Sequence, residues 1–359
     1  MGSEAKERTA LSEPPEIEYE GFSGNGETDD VESDAAERKK KGLVKLWESL
    51  IGLKRFVEEK WWQRCSGGHN EGIRVYQVWP GKNVFSFKGR FICGPDPKGL
   101  LLTVVSIILS SWTFTVYVAY NFPNYSSLVT ISLALTLIVL VNLMAFGMVD
   151  PGIIPRSDDQ PSAEEVGTSH KSRKKWIMVN GVKVKVKYCR VCKIYRPPRC
   201  CHCAICDNCV EKFDHHCPWL GQCIGLQNYR FYLSLLVSVL AFCLYIFSFC
   251  FWRIHQRVFE AGTGLIGLLK DYPETVALAS FSFGAIGLLA CLATYHVYLI
   301  AINQTSYENF QQLYMGSQNP FDKGFLGNIK EALLVKLPPS RVNFRAGATP
   351  EWLQRYHGV

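Results

Sequence analysis

Four stretches of this 359-residue sequence contain no aspartate, glutamate, lysine or arginine: Leu100 to Asn121, Ser126 to Met148, Phe231 to Trp252 and Val276 to Ile302. About 20 residues at 1.5 Å each match a hydrocarbon core of ~30 Å, so each run is long enough to cross a bilayer. Four uncharged runs of this length exclude the buried helices of a water-soluble protein as their explanation. The same lack of intramembrane charge argues against a transporter with an ion path. Apart from tyrosine and cysteine, His296 is the sole ionisable side chain in the four runs. It lies near the end of its run, is expected to face water, and is assigned no role.

Other absences are equally informative. The first 40 residues hold no apolar run, so no cleavable signal peptide is expected. Met1-Gly2 is followed by Lys6 where a myristoylation signal wants Ser or Thr. Cysteine is sparse except in one place: nine of the 14 fall between Cys189 and Cys223, which speaks for metal ligands in a reducing compartment and against a disulfide framework.

Charge is distributed unevenly. Residues 1–37 carry 12 acidic groups against Lys6 and Arg8, a net of −10 within a chain whose total is +7. This head is expected to be disordered, and the basic run Arg38 to Lys41 follows it. Leu43, Trp47, Leu50, Ile51, Val57 and Trp61 then recur at helical spacing among Lys45, Lys54 and Arg55. That pattern fits a helix on an anionic leaflet or one packed on the protein's own cytosolic domain. Arg74 to Trp79 and Val84 to Phe91 flank Pro80-Gly81-Lys82-Asn83 and read as a hairpin.

Lysine and arginine also orient the chain. Residues 1–99, 149–230 and 303–359 hold 36 of them, against three in the two remaining loops. Both termini and the cysteine segment are therefore expected on the cytosolic side. The fold class that follows is an all-α polytopic membrane protein with four transmembrane helices and a small cytosolic two-zinc cysteine-rich domain between helices 2 and 3. The expected divisions are 1–41 for the head and basic run, 42–99 for a cytosolic N-terminal region, and 100–148 for helices 1 and 2. A linker at 149–188, a zinc-binding catalytic domain at 189–230, helices 3 and 4 at 231–302 and a tail at 303–359 complete them.

The cysteine segment repeats itself. Cys189, Cys192, His202 and Cys209 form one set, and Cys203, Cys206, His216 and Cys223 form the same set 14 residues later. Four sulfur and nitrogen ligands are what a closed structural zinc site requires, so two zinc ions account for eight residues. Cys217 opens a third copy, but Leu220, Arg230 and Val237 stand where its fellow ligands would be. It is a thiol without a metal, beside Asp214 and His215, which also lie outside the ligand sets. A thiolate is the nucleophilic form, an imidazole takes the thiol proton, and a carboxylate holds the imidazole in the right tautomer. Asp214 then orients, His215 is the base, His216 binds metal and Cys217 attacks. Cys200 and Cys201 remain unassigned.

These residues carry a resemblance. Arg196-Pro197-Pro198-Arg199, His202-Cys203, Phe213-Asp214-His215-His216-Cys217-Pro218-Trp219 and Cys223-Ile224-Gly225 with Asn228 closely resemble the cysteine-rich domain of the DHHC protein S-acyltransferases, or palmitoyltransferases. Asp150-Pro151-Gly152 looks like that family's Asp-Pro-Gly motif, and Thr305-Ser306-Tyr307-Glu308 like its Thr-Thr-x-Glu. Asn319 through Asn328 resembles its C-terminal element with a structural Asn, and Tyr76 through Phe91 looks like the plant branch. Three positions depart from the family pattern: Cys201 for Ser, Gln222 for Asn and Ser306 for Thr. Ser306 keeps the hydroxyl.

The resemblance implies transfer of a long-chain acyl group, typically palmitoyl, from acyl-CoA to cysteine thiols on the cytosolic face of membrane-associated proteins. It implies a ping-pong course through acyl-Cys217, zinc as scaffold, and Asp150, Pro151, Gly152, Thr305, Ser306, Glu308 and Asn328 in support. Expected partners are protein substrates and membrane lipid, with no nucleic acid. An endomembrane (ER, Golgi or vesicles) or the plasma membrane is the expected location. The rival reading is a membrane-tethered zinc module that recruits partners without chemistry. Acyl transfer to Cys217 separates the two.

Overall fold

The computed structural model describes residues 72–157, 174–260, 262 and 264–350. The acidic head, the basic run and the amphipathic segment lie outside the described residues. Among the described residues, four helical spans are long and apolar enough to cross a membrane: Lys98–Asn121, Tyr125–Gly147, Tyr229–Phe259 and Pro273–Ala301. The chain is thus a multi-pass membrane protein, mostly helical, as expected. Within a bilayer each backbone N–H and C=O must find its partner inside the segment, and a helix achieves this. The spans comprise α1 (Lys98–Thr113, continued by a π-helical turn at Phe114–Val118), α2 (Tyr125–Gly147), α3 (Tyr229–His255) and, after the short α4 (Leu265–Asp271), α5 (Pro273–Ala301). Phe114, Val139, Phe146, Phe242, Ile246 and Leu278 form part of their shared core.

Between the second and third spans lies a stack of short antiparallel hairpins. Strand β3 (Ile153–Ile154) leaves the second span, and β4 (Lys174–Val179) pairs with β5 (Val182–Cys189). Three hairpins then follow at a spacing of 14 residues: β5 with β6 (Ile194–Tyr195), β7 (Cys201–Cys203) with β8 (Asn208–Val210), and β9 (His215–Cys217) with β10 (Gln222–Ile224). Their registers are copies. Tyr188 faces Tyr195, His202 faces Cys209, and His216 faces Cys223. Each turn contains a left-handed residue at the same point, Lys193 (φ 52°), Asp207 (φ 55°) and Gly221 (φ 60°). The sequence repeat is therefore a repeat of one backbone unit.

The stack is fastened to the spans at both ends. Asp150 Oδ1 accepts from the backbone N–H of Gly152 at 2.7 Å and of Ile153 at 2.9 Å, and Gly152 takes φ 102°. That turn aims β3 at β8, with which it pairs. At the other end, α6 (Ser306–Phe310) follows the fourth span with Thr305 and Glu308 in a reciprocal cap: Glu308 N–H donates to Thr305 Oγ1, and Thr305 N–H to Glu308 Oε2. Helix α7 (Phe325–Leu333) carries buried Asn328, which donates from Nδ2 to the Ala301 carbonyl at 2.8 Å and so closes the end of the fourth span.

The expected hairpin over residues 74–91 is corrected. Val75–Val78 is a 3₁₀ turn, and the hairpin is β1 (Val84–Ser86) with β2 (Phe91–Cys93). The reason is competition for backbone bonds. Val75 N–H donates to Ala346 O and Tyr76 N–H to Phe344 O, so the C-terminal tail takes the bonds a neighbouring strand would have taken. Trp79 packs edge-on to Phe344, with centroids 5.0 Å apart, and donates from Nε1 to Asn208 Oδ1 at 3.2 Å.

Candidate active site and metal centres

Alternation along a strand decides which residues meet. Side chains at i and i+1 point to opposite faces, so His202 and Cys203 serve different sites, as do His216 and Cys217. Hairpin β7–β8 turns His202 and Cys209 back to Cys189 and Cys192, and sends Cys203 and Cys206 forward to His216 and Cys223 on β9–β10. In both sets the four ligand atoms lie within 4.8 Å of one another. Cys192 Sγ is 3.4 Å and Cys209 Sγ 3.8 Å from His202 Nδ1; Cys203, Cys206 and Cys223 Sγ are 3.8, 3.4 and 3.6 Å from His216 Nδ1.

A tetrahedral ion with Zn–S near 2.3 Å and Zn–N near 2.0 Å has ligand–ligand edges of about 3.5–3.8 Å. The donor sets match that geometry, and two zinc ions fit. Both histidines present Nδ1, which leaves Nε2 free for an outer partner; His202 Nε2 lies 3.5 Å from Asp207 Oδ1.

Each ion staples one hairpin to the next, and the stapling ends at Cys217. The residue at the turn position three further on is Leu220, buried where Cys192 and Cys206 supply sulfur in the earlier units. Cys217 and Leu220 are instead packed with Ile224, Tyr232 and Ile107 in the core of the spans. The first span helps hold this turn: Thr103 Oγ1 donates to Trp219 O at 2.9 Å, and a side chain at Gly99 would collide with Pro218 O.

Asp214 is 3% exposed. Its Oδ2 is 2.7 Å from His215 Nδ1 and accepts from Ser306 Oγ at 2.8 Å, while Oδ1 accepts from Ser306 N–H at 2.8 Å. Burial opposes its charge, but the hydrogen bonds and charge of His215 and the Ser306 N–H outweigh that and hold the carboxyl below its ordinary range. Burial likewise pushes His215 down, yet its hydrogen bonds to Asp214 and Cys217 and their charges raise it to about 9. An imidazole so placed stabilises a neighbouring thiolate.

The Ser306 strut is anchored in turn. Arg199 donates to both Glu308 oxygens, at 2.8 and 2.7 Å, and from Nη1 to Asn303 Oδ1 at 2.9 Å, with its guanidinium over the Phe321 ring. The pair is almost wholly buried; losing one partner of such a pair costs roughly 3–5 kcal/mol. Asp214 lines a cavity of about 340 Å³ that also holds Lys212, Arg230, Lys323, Lys336 and Glu331, the last paired with Lys212 at 3.2 Å and Lys323 at 2.9 Å.

The structure thus brings Asp214, His215 and Cys217 together, gathers each metal set, and places Ser306 on Asp214. Thr305, Glu308 and Asn328 brace α6 and the end of the fourth span, and Asp150-Pro151-Gly152 directs β3. His296 does not face water: it is 1% exposed and its ring centroid is 6.4 Å from that of His215. The fourth span turns it inward against the third, where tyrosine hydroxyls meet both its nitrogens. Its lone standing among the apolar runs was the available signal, because an ionisable group inside a span seeks a polar partner. The Arg199 pairing had no such signal, since its partners lie more than 100 residues away in sequence.

The sequence model of a family described as DHHC palmitoyltransferase matches residues 183–313. Probable protein S-acyltransferase 7 of Arabidopsis thaliana is 40% identical over 303 residues, covering 79% of this chain and 68% of that protein. Probable protein S-acyltransferase 6 is 41% identical over 299 residues, 79% of this chain and 73% of the relative. Protein S-acyltransferase 8 is 39% identical over 293 residues, with 76% and 72% covered. Both are also from Arabidopsis thaliana.

Proposed function

We infer the reaction from one premise: the chain belongs to the DHHC palmitoyltransferase family. It is a protein S-acyltransferase that moves a long-chain acyl group, typically palmitoyl, from acyl-CoA to cysteine thiols of proteins. The observation that supports this reading best is a buried, metal-free Cys217 beside the Asp214–His215 pair and against the core of the spans.

In the mechanism we favour, His215 takes the Cys217 proton and the thiolate attacks the thioester carbonyl. The carbon–sulfur bond to CoA breaks, and the CoA thiolate leaves with the proton from His215. The substrate thiol then gives its proton to His215 and attacks the acyl carbonyl; the carbon–sulfur bond to Cys217 breaks, and the Cys217 thiolate takes the proton back from His215. Asp214 holds the His215 tautomer throughout, and Ser306 holds Asp214. The zinc sites have four protein ligands each, so the metal scaffolds the hairpins that present Cys217. An acyl chain gains about 0.8 kcal/mol per buried CH₂, which favours its lying among the spans while the thioester reaches Cys217. The anionic CoA group stays in water near cytosolic lysines and arginines.

We also assign the zinc hairpins and both termini to the cytosolic side, on the 36 to 3 division of lysine and arginine. Labelled palmitoyl-CoA tests the reaction: the full chain should carry a hydroxylamine-sensitive label on Cys217 and pass it to a protein thiol. A chain that takes no label sinks the reading. Protease added from the cytosolic side of sealed vesicles should reach both termini and the segment 149–230, and protection of that segment would reverse the orientation.

A further inference from the structure

The fourth span carries one histidine, and nothing in the mechanism above uses it. His296 Nδ1 lies 3.1 Å from the Tyr229 hydroxyl and Nε2 lies 3.1 Å from the Tyr232 hydroxyl. The two tyrosines are three residues apart on α3, hence on one face of the third span, with ring centroids 6.2 Å apart. One imidazole therefore clamps two successive turns of a neighbouring helix. A neutral imidazole offers one donor and one acceptor nitrogen, and both are engaged. His296 is left with no free lone pair and is unsuited to act as a base.

What the clamp holds is the wall beside His215. Asp214 ties His215 at Nδ1 and Cys217 hydrogen-bonds the same ring, two contacts that lie in the ring plane. The Tyr232 ring stands 5.7 Å from the His215 ring at 77° and limits the swing on that side. His296 is packed behind it, 5.0 Å from Tyr232. Tyr232 is buried in the core of the spans and has two side-chain torsions to settle. Fixing its hydroxyl removes that freedom, and a buried hydroxyl in an apolar span would otherwise lack a partner.

We propose that His296 is a positioning residue for acyl transfer: by binding the Tyr229 and Tyr232 hydroxyls together it sets the Tyr232 ring as the wall that keeps His215 aligned between Asp214 and Cys217. The proposal rests on the acyltransferase reading and names a residue of the same site. Its effect belongs to the reacting geometry, where small misplacements cost up to about 10² in rate, and not to donor binding.

The test is single-turnover formation of labelled acyl-Cys217 on the full chain in bilayer discs, over a range of palmitoyl-CoA. His296→Phe keeps an aromatic ring, somewhat larger than the imidazole, and loses both hydrogen bonds. It should lower the saturating rate roughly tenfold and leave the half-saturating donor concentration within twofold. Tyr232→Phe, which removes only a hydroxyl, should show the same split. The double variant should be no slower than the slower single variant, because the two changes break one linkage. Both zinc ions should be retained in all three.

A saturating rate for either single variant within twofold of the wild type overturns the proposal, and Tyr232→Phe alone decides it if His296→Phe does not accumulate. Losses that multiply in the double variant also overturn it, as does a raised half-saturating concentration with an unchanged saturating rate. If the wild-type chain itself takes no label, the acyltransferase reading fails first, an outcome distinct from each of these.

Discussion

Hairpins β7–β8 and β9–β10 are the same backbone unit with different chemistry. Cys203 and Cys217 occupy one position of the unit, opposite Asn208 and Gln222, and His202 and His216 occupy the one before it. Cys203 is a metal ligand because Cys206 follows at the turn and hairpin β9–β10 supplies His216 and Cys223. Cys217 is a free thiol because Leu220 stands at that turn and the next structure is the third span, which brings no ligand. A cysteine's role here is therefore set by what the following unit provides. The metal sites keep the last hairpin rigid, and that hairpin presents its unclaimed thiol to the bundle.

The sharpest way to break the comparison is the same substitution at both positions. Cys217→Ser should abolish the acyl-enzyme and all transfer, with both zinc ions present by elemental analysis and normal accumulation. Loss of zinc from Cys217→Ser would show the two hairpins to be alike in chemistry as well as in backbone.

Adjacent histidines sharpen it next. His215→Ala should keep both metals and slow acylation by about 10²- to 10⁴-fold, the range for losing a general base. His216→Ala, one residue on, should lose about one zinc. Equal zinc contents in the two variants would contradict the alternation that assigns them to opposite faces.

Cys203→Ser should release about one zinc per chain and reduce the amount of folded protein, since metal binding carries part of the folding free energy. Activity per surviving zinc-replete molecule should stay near normal. A Cys203→Ser chain with full zinc and no acylation would place Cys203, not Cys217, at the reacting centre.

The smallest effect concerns the strut on Asp214. Ser306→Ala removes the hydroxyl bond and leaves the backbone N–H bond, so the loss should be that of one hydrogen bond, roughly 0.5–1.5 kcal/mol or about two- to tenfold in the acylation rate. Ser306→Thr should stay close to wild type. A drop as large as that of His215→Ala would mean that the strut does more than orient the carboxylate.

Read from residue types alone, the chain declares its four spans, its eight metal ligands and the thiol left over. Those features are one-dimensional. Span length follows from the rise of a helix and the thickness of a bilayer, and ligand identity follows from a spacing that recurs every 14 residues. The contrast between His215 and His216 was legible too, because the 14-residue spacing claims His216 for the metal and leaves His215 outside both sets.

Other features were settled only when distant segments met. Val75–Val78 is a turn because the tail at Phe344 and Ala346 claims its hydrogen bonds. Arg199 is buried because Glu308 and Asn303 arrive from beyond the fourth span. His296 turns inward because Tyr229 and Tyr232 wait on the third span. An all-apolar helix has no polar face to say which side it shows to lipid and which to protein, so the sequence determined that these helices cross the membrane, and packing alone decided which side chains look at Cys217.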